Sequence, residues 1–512
     1  MEEKESIEKD VKYSEDGKVL IKAPMDIEEC IIKEGTESIG DKAFVNHYNL
    51  RSVSIPNSVK RIGQETFFCC ERLKSITIPS SVTSIGWCAF YGCASLKTVH
   101  LFNGLKSIGP SAFYKCWNLE SLTIPDSVSK IEGGAFERCT KLDSITLPEN
   151  ITSIGSQTFK NCKRLQSIII PNGVKIIKAE AFEGCTELQS VTIPRSLKTI
   201  GDRAFADCSS LISLTIPKKL ETIGLYAFNK CECLENITVE EGNAVYDSRD
   251  NCNAIIETAT SRLIYGCKNT TIPNGIGTIG KRAFFKSKVL KSIDIPDSVT
   301  IIEDYAFYWC MGLKSISIGK GVKYIGDDAF CDCANLNSIS IAEENKTFDS
   351  RENCNAIIES STNKLIAGCN NTIIPNGITE IGDRAFSNCH SFTSINIPSS
   401  VRILGNSAFY NCSKLKEVSI SEGVTNIGAS TFKNCSSLKT ITIPEGVTSI
   451  GRDAFNFCID LESITLPCSI ESIGTEAFTN CINLKSIYIP AGTRKRFEEL
   501  LPKQKDFLKE KQ

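Results

Sequence analysis

Hydrophobic and polar residues alternate along this chain in a pattern that returns every 23 residues. One copy, Cys70 to Gly92, reads CERLKSITIPSSVTSIGWCAFYG and fits the template C-x-x-L-x-x-I-x-I-P-x-x-V-x-x-I-G-x-x-A-F-x-x. Three runs of nine, three and five copies are separated by two gaps of 56 residues between successive template phenylalanines. The 17 phenylalanines are Phe44, Phe67, Phe90, Phe113, Phe136, Phe159, Phe182, Phe205, Phe228, Phe284, Phe307, Phe330, Phe386, Phe409, Phe432, Phe455 and Phe478.

Within one repeat, the spacing predicts a short strand, a turn and a compact outer segment. Ile76 and Ile78 are two residues apart and therefore point to one face of a strand. Pro79 ends that strand because proline has no N–H to donate to a ladder. The residue after the repeat glycine is often an N-cap type, which predicts a short helix or 3₁₀ turn beneath Ala89 and Phe90. Such residues are Asp202, Asp304, Asp383 and Asn406.

A fixed period of about 20 to 29 residues with this leucine spacing is typical of a leucine-rich solenoid. One repeat cannot bury its apolar side alone, whereas stacked repeats cover one another. We therefore predict a leucine-rich repeat solenoid of α/β type. It has a curved parallel β-sheet on the concave side, short helices or 3₁₀ turns on the convex side, 17 repeats of 23 residues and two β-hairpin insertions.

The repeat pattern also predicts the order of segments along the chain. At the C-terminal end, Thr493 is expected to cap a helix that presents Phe497, Leu500 and Leu501 on one face, with Pro502 breaking it. The predicted segments are a disordered start (1–10), an N-terminal hairpin cap (11–34), repeats 1–9 (35–239), a hairpin insertion (240–272), repeats 10–12 (273–341), a second hairpin insertion (342–374), repeats 13–17 (375–490) and a C-terminal helical cap (491–512).

The two insertions are nearly identical in sequence, and each predicts an extended arm followed by a β-hairpin that projects from one edge of the solenoid. Cys252 and Cys267 are symmetric about the expected turn of the first hairpin, and Cys354 and Cys369 about that of the second. Turns at these centres place each pair face to face, with Cβ atoms ~4.5–5.5 Å apart. Both a disulfide and a pair of packed reduced thiols fit this arrangement.

Cysteine also recurs three residues after the repeat phenylalanine, in 15 of the 17 repeats. A metal array, a disulfide ladder and a column of buried thiols are the alternatives. In-register side chains point the same way, which disfavours disulfides, and the chain has three His and no C-x-x-C pair. The pattern therefore favours small buried thiols, predicts no cofactor or metal, and fits a reducing compartment.

One further group of residues is a candidate for calcium binding. Asp247, Asp250, Asn251 and Asn253 lie close together in the first insertion. They lack the D-x-[DN]-x-[DN]-G order of a calcium loop, and Asn and Asp are also the common residues of turns. We therefore favour a turn at these positions.

The balanced charge of the chain and the motifs that it lacks argue against several classes of function. With 58 Lys and Arg against 60 Asp and Glu, the chain lacks the basic stripe that nucleic acid requires. It has no apolar run long enough to span a membrane. Residues 1–10 contain no apolar signal region, which predicts a cytoplasmic location. No Ser/His/Asp arrangement, H-E-x-x-H motif or phosphate-binding glycine loop is present, so we do not predict an enzyme; a site within the insertions is the alternative.

The template resembles the BspA-like, Treponema-pallidum-type leucine-rich repeat, most closely in SITIPSSVTSIGWCAFYGC and its relatives across roughly residues 30–490. The DNCNAII…LIAGC hairpins and the closing amphipathic helix are similar to features of the same family. The resemblance implies a non-enzymatic binding protein at a cell surface, with host matrix proteins or other cells as partners. The residues themselves leave open an intracellular protein-interaction platform.

Two surfaces are candidates for partner contact, and the partner is expected to be a protein or a glycan. The outward positions of the strands carry mostly serine and threonine, which suit strands and can also hydrogen-bond a ligand. Aromatic side chains concentrate in repeats 2–4, as they do in binding hot spots, although packing between adjacent repeats also explains them. The candidate residues are Phe68, Trp87, Tyr91, His100, Phe102, Tyr114 and Trp117.

Overall fold

The computed structural model describes residues 11–511, so the prediction for residues 1–10 lies outside the described part. The chain divides into two compact units, with the boundary between Ser248 and Arg249. In each unit, successive repeats pair as parallel strands at a shift of 23 residues, as in Ser213↔Asn236 and Ser315↔Ser338. The predicted leucine-rich repeat solenoid is therefore confirmed.

The first unit consists of short strands and turns. Its strands are Lys12–Tyr13, Val19–Lys22, Glu29–Ile31, Ser38–Ile39, Ser52–Ser54, Arg61–Ile62, Ser75–Ile78, Ser84–Ile85, Thr98–Leu101, Ser107–Ile108, Ser121–Thr123, Lys130–Ile131, Ser144–Thr146, Ser153–Ile154, Ser167–Ile169, Ile176–Ile177, Ser190–Thr192, Thr199–Ile200, Ser213–Ile216, Thr222–Ile223, Asn236–Val239 and Tyr246–Asp247.

The second unit has the same pattern and includes the α-helix Arg494–Leu500 near its C-terminal end. It also contains three 3₁₀ turns, Arg249–Asn251, Arg351–Asn353 and Lys505–Phe507. Its strands are Ala254–Glu257, Arg262–Gly266, Thr278–Ile279, Ser292–Ile295, Ile301–Ile302, Ser315–Ile318, Tyr324–Ile325, Ser338–Ile341, Phe348–Asp349, Ala356–Glu359, Lys364–Gly368, Glu380–Ile381, Ser394–Ile397, Ile403–Leu404, Glu417–Ile420, Asn426–Ile427, Thr440–Thr442, Ser449–Ile450, Ser463–Thr465, Ser472–Ile473, Ser486–Pro490 and Leu508–Lys511.

Most repeats contribute two strands rather than the single one predicted, whereas the repeats of Phe284 and Phe386 have only the second strand. The first, such as Ser75–Ile78, pairs with Thr98–Leu101 of the next repeat on the side predicted to be concave. The outward side chains of these first strands form what we call the strand face. The second, such as Ser84–Ile85, pairs with Ser107–Ile108 in a separate parallel column. The isoleucine of this two-residue strand is buried, so the second column closes another side of the core.

The outer segment between the repeat glycine and cysteine, which we call the turn face, was predicted as a short helix or 3₁₀ turn. It consists of turns, in which the N–H groups of Phe68 and Cys70 donate to the carbonyl oxygens of Glu65 and Phe67, three residues earlier, at 3.1 and 3.2 Å, and it does not form a helix. Glu65 and Cys69 have φ angles of 50° and 56°, which are left-handed and interrupt a helix. Alternate N–H groups point to the next repeat: those of Phe67 and Cys69 donate to the carbonyl oxygens of Ala89 and Tyr91, both at 2.7 Å. The turn face is therefore a ladder between repeats.

The residues predicted as helix N-caps act in this ladder instead. Asp202 Oδ1 accepts the N–H of Leu225 at 2.7 Å, and Asp383 Oδ1 accepts that of Asn406 at 2.7 Å. Asp304 and Asn406 accept the N–H groups at the same position of the repeats after them. A short polar side chain after the repeat glycine thus joins two neighbouring repeats, and no helix begins there.

Two columns of side chains fill the core. The repeat phenylalanines stack with ring centroids from 4.9 to 5.7 Å apart. The column cysteines are buried, and the thiol of Cys93 donates to the carbonyl oxygen of Phe67 at 3.1 Å. The same contact recurs in 14 repeats. Between residues 11 and 511 no cysteine forms a disulfide, so the prediction of a buried thiol column is confirmed.

The hairpin insertions do not project from the solenoid; their strands lie within the stack. Ile256 and Leu263 of the first hairpin are completely buried, as are Ile358 and Leu365 of the second. The second strand of each hairpin takes the place of a repeat's second strand, since Arg262–Gly266 pairs in parallel with Thr278–Ile279. The N-terminal strand Val19–Lys22 pairs with Ser38–Ile39 in the same way.

The second hairpin forms a wall between two hydrophobic clusters of its unit. Ala356, Ile358 and Leu365 pack into the cluster that extends toward the C-terminal end. Ile357 and Ala367, which alternate with them along the strands, pack into the preceding cluster. Both faces of the hairpin are therefore covered, and 33 added residues are accommodated inside the stack because they supply an apolar layer of their own.

The C-terminal segment matches the prediction only in its first half. The helix Arg494–Leu500 ends before Pro502, and Phe497 is buried. Thr493 stands before the helix, but its hydroxyl donates to the carbonyl oxygen of Pro490 instead of capping the helix. Leu508–Lys511 is a strand that pairs in parallel with Ser486–Pro490, so the sheet ends on a strand and not on a helix.

Candidate binding surface

The strand face of the first unit is an open surface of small polar side chains. From the strand Ser52–Ser54 to Asn236–Val239, both outward positions of every first strand are exposed. The eighteen residues are Ser52, Ser54, Ser75, Thr77, Thr98, His100, Ser121, Thr123, Ser144, Thr146, Ser167, Ile169, Ser190, Thr192, Ser213, Thr215, Asn236 and Thr238. None of them is charged apart from the titratable His100, and Ile169 is 73% exposed.

Most hydroxyl groups on this face are free to bind a ligand. Thr215 and Thr238 hydrogen-bond each other at 3.2 Å between their Oγ1 atoms. By contrast, the side chains of Thr123, Ser144 and Thr146 have no hydrogen-bond partner in the part of the chain that the structure describes. A partner that extends from strand to strand would therefore contact rows of unused hydrogen-bond donors and acceptors, which are spaced by about 4.8 Å.

The predicted aromatic residues of repeats 2–4 do not form one patch. Phe68, Tyr91 and Tyr114 share one position of the turn face and stack, with ring centroids 4.6 and 4.7 Å apart. Lys115 places its Nζ over the rings of Tyr91 and Tyr114, 5.8 and 5.4 Å from their centroids. These three rings are half-buried, which fits the alternative of packing between adjacent repeats.

The other four candidates occupy four different positions of the repeat. Trp87, Phe102 and Trp117 are 45%, 50% and 48% exposed. Trp87 lies at the start of the turn face, Trp117 follows the column cysteine, and Phe102 replaces the proline after the first strand. His100 lies on the strand face opposite Thr77. The structure therefore brings together three of the seven predicted residues.

A cationic–aromatic cluster in the second unit involves positive charges that sequence reasoning did not include. Phe285 and Tyr308 stack with ring centroids 5.5 Å apart. The Nζ of Lys286 lies 4.1 Å from the ring centroid of Trp309, and the guanidinium of Arg282 lies 4.8 Å from that of Phe285. Only the uneven placement of aromatic residues along the chain indicated this region.

The cysteines of the hairpins do not face each other as predicted. A β-bulge between Ile255 and Ile256 shifts the register by one residue, so Ala254 pairs with Gly266. Cys267 therefore lies against residue 253, and its thiol donates to the carbonyl oxygen of Asn253 at 3.1 Å. The same bulge shifts the second hairpin.

The four hairpin thiols are buried, and none of them forms a disulfide. In the second hairpin, burial raises the pKa of Cys354 and of Cys369 above the ordinary value of a thiol. The packed-thiol alternative thus describes these residues, although in a register different from the predicted one.

In the segment proposed as a turn, Asp250 and Asn251 adopt left-handed φ angles of 56° and 51°. Within residues 11–511, no group of three or more His, Cys, Asp or Glu side chains is arranged to hold a metal ion. No helix in this range is both long and apolar enough to cross a membrane.

The stacked strands, the phenylalanine column and the open strand face define a repeat scaffold of the leucine-rich type. The family described as BspA type leucine rich repeat region matches the chain over residues 23–143, 129–254, 264–366 and 357–485. This chain belongs to that family, and the resemblance noted in the sequence is confirmed. A comparison with curated proteins finds no match.

Solved structures similar to this chain include several bacterial leucine-rich repeat proteins. One from Bacteroides ovatus is 24% identical, with 98% of this chain and 94% of that one covered and a TM-score of 0.34. A leucine rich cell surface protein from Faecalibacterium prausnitzii is 24% identical, with coverages of 96% and 95% and a TM-score of 0.37. The leucine rich repeat protein of Treponema pallidum is 25% identical, with coverages of 44% and 88% and a TM-score of 0.27.

Proposed function

We propose that this protein is a non-enzymatic scaffold that binds a protein partner at a cell surface through the strand face of its first unit. The observation that carries the proposal is the row of eighteen exposed positions on that face, nearly all small and polar, with unused hydroxyl groups. Such a surface can hydrogen-bond an extended partner along its length without the cost of removing charges from water.

The family supports the same role. Leucine-rich repeat scaffolds bind partners on extended surfaces that the repeat stack creates, and one similar solved structure is described as a cell surface protein. Host matrix proteins are the partner class that the sequence resemblance implies. A glycan would use the same hydroxyl rows, so the experiment includes glycans as a separate outcome.

The test measures binding of the purified protein to immobilised collagen, fibronectin, laminin and fibrinogen, and to a glycan array, by biolayer interferometry. We expect saturable binding to at least one matrix protein. A double variant, Thr123→Lys with Thr146→Lys, places two long charged side chains on the strand face and should weaken that binding at least tenfold.

The matched control is Ser129→Lys with Thr152→Lys, which adds the same charge at exposed positions that precede the second strands of these two repeats. Its binding should stay within twofold of wild type. Equal losses in both double variants would contradict the strand face as the binding surface. Binding to glycans alone would replace the protein partner by a carbohydrate.

An intracellular interaction platform is the second candidate, and the lack of disulfides between residues 11 and 511 favours it. Reduced thiols are typical of compartments in which glutathione and thioredoxin maintain them. Protease treatment of intact native cells, followed by immunoblotting for this chain, separates the two. Loss of the band supports surface display, whereas full protection in intact cells and cleavage after lysis supports the platform.

A further inference from the structure

A cleft of about 710 Å³ opens in the second unit where the second insertion interrupts the turn face. Asp327 and Asp328, from the repeat of Phe330, line one side of the cleft. Asp383 and Arg384, from the repeat of Phe386, line the opposite side, and Ile366 of the hairpin completes the wall. The volume is within the range of about 300 to 1,000 Å³ that is usual for ligand sites.

Elsewhere on the turn face, alternate backbone N–H groups of a repeat donate hydrogen bonds to carbonyl oxygens of the next repeat. The N–H groups of Tyr305 and Phe307, for example, donate to the carbonyl oxygens of Asp327 and Ala329 at 3.0 and 2.8 Å. The same positions of the following repeat are Asp328 and Phe330. These donors are fixed along the stacking direction because the ladder on their other side holds the segment in place.

At the cleft this ladder lacks one turn segment. The N–H groups of Asp328 and Phe330 have no acceptor, and the carbonyl oxygen of Asp383 has no donor, among residues 11–511. One contact is replaced, since Gly368 of the hairpin donates its N–H to the carbonyl oxygen of Ala385 at 2.8 Å. The cleft thus presents backbone donors on one side and a backbone acceptor on the other.

The charges around the cleft do not balance. Its two cations are paired: Arg384 Nη1 lies 2.6 Å from Asp328 Oδ2, and Lys364 Nζ lies 2.7 Å from Glu380 Oε1. Asp327, Asp383 and Glu359 also line the cleft but form no ion pair with any residue between 11 and 511. Three carboxylates beside free backbone groups give the cleft a net negative charge.

We infer that this cleft binds an extended, basic peptide segment of a protein partner, whose backbone completes the missing step of the ladder while its Lys or Arg side chains meet Asp327, Asp383 and Glu359. Main-chain hydrogen bonds of this kind are a general mode of peptide capture, and side-chain charges add the selectivity. The inference rests on the protein-binding role proposed above and adds a second site, with the chemistry of the segment that it takes.

The test uses a fluorescein-labelled hexapeptide, Gly-Lys-Arg-Ala-Gly-Lys, whose first four residues repeat the turn segment at positions 280–283. Phenylalanine is left out of the peptide because Gly368 already occupies that step of the ladder. Fluorescence anisotropy with the full chain should show saturable 1:1 binding. The charge-reversed peptide Gly-Asp-Glu-Ala-Gly-Asp should bind at least tenfold more weakly.

Two variants of the protein test whether the basic peptide binds in the cleft. Ser407→Tyr narrows the cleft at a position where two other repeats already carry tyrosine, Tyr226 and Tyr305, with the same left-handed φ. Asp327→Lys reverses one of the unpaired charges. Each variant should weaken binding of the basic peptide at least tenfold.

The matched controls are Ser430→Tyr, at the same repeat position one repeat further along, and Asp460→Lys, an exposed aspartate outside the cleft. Both should stay within twofold of wild type. Absence of saturable binding, or equal losses in the cleft variants and their controls, would overturn the inference. Because the strand-face variants leave the cleft unchanged, failure here and failure of the matrix-protein assay are distinguishable.

Discussion

At the scale of single residues, the columns of the core fix the fold. The repeat phenylalanine fills the space between neighbouring turns, and the column cysteine satisfies the carbonyl oxygen of the phenylalanine in the preceding repeat. Serine and threonine on the strand face contribute little to packing because their side chains remain in water. Burial therefore distinguishes the residues that stabilise the scaffold from the exposed residues that can bind a partner.

Replacing a phenylalanine inside a run should destabilise the protein far more than replacing a serine of the strand face. Phe205 is completely buried and stacks on Phe182 and Phe228 at 5.1 and 5.7 Å. Phe205→Ala should cost roughly 3–5 kcal/mol of unfolding free energy. Ser213→Ala should change it by less than about 0.5 kcal/mol. Urea unfolding followed by circular dichroism measures both, and similar losses would contradict the assignment of faces.

The exposed thiol of Cys468 should react faster once a neighbouring carboxylate is removed. Its Sγ lies 3.4 Å from Glu445 Oε2, and this hydrogen bond raises the pKa of the Cys468 thiol. Glu445→Gln should lower that pKa and increase the thiolate fraction, and with it the iodoacetamide rate at pH 7.5. Cys233, which is also exposed, serves as the control in peptide mass spectrometry. An unchanged Cys468 rate would rule out this contact.

At the scale of elements, the second hairpin insertion is an internal layer of its unit, between two hydrophobic clusters. Each hairpin contributes a glycine, Gly266 or Gly368, at the point where the phenylalanine of the next repeat packs against it. A Cβ atom on Gly368 would lie 2.0 Å from Cε1 of Phe386. The absence of a side chain is therefore what lets the hairpin approach the next repeat closely enough to continue the ladder.

A methyl group at this glycine should be poorly tolerated. Gly368→Ala should destabilise the second unit by about 1–3 kcal/mol, as overpacking does in other cores. Gly277→Ala is the control, since a Cβ atom there meets nothing within 4 Å, and its effect should stay below about 0.5 kcal/mol. In the double variant with Phe386→Leu, the added cost of Gly368→Ala should fall. Additive costs would show that the two residues do not collide.

At the scale of the whole molecule, the buried thiols should make stability sensitive to alkaline pH. Burial raises the pKa of Cys185 and of Cys435 to about 12. In the unfolded chain, thiols ionise near their usual pKa of about 8.5. Above that pH the unfolded state has released protons that the folded state still holds, so the free energy of unfolding falls as pH rises.

The measurement is the pH dependence of urea unfolding between pH 9.5 and 10.5. Replacing Cys162, Cys185 and Cys208 by alanine removes three of these groups. The slope of unfolding free energy against pH should then become shallower by about 4 kcal/mol per unit, since each thiol contributes about 1.4 kcal/mol. Comparing slopes rather than absolute stabilities removes the packing cost of the substitutions. Identical slopes would show that the column thiols ionise equally well in the folded protein.

The repeat, the inward positions of the first strands, the buried thiols and the places where the period breaks can all be predicted from the amino-acid pattern alone. These features are local, and each recurs many times with the same residues at the same spacing. A solenoid adds only contacts between neighbouring repeats, so one template such as Cys70 to Gly92 describes most of the core.

The arrangement of the chain where the period breaks depends on contacts that the repeat pattern does not predict. The position of the hairpins depends on both of their faces being apolar, and on one bulge that moves Cys252 and Cys267 out of register. The turn face differs from the predicted helix because alternate N–H groups donate to carbonyl oxygens of the next repeat, 22 residues away. The cleft beside Asp328 exists because the second hairpin supplies two faces to the core but leaves one step of the turn ladder unfilled.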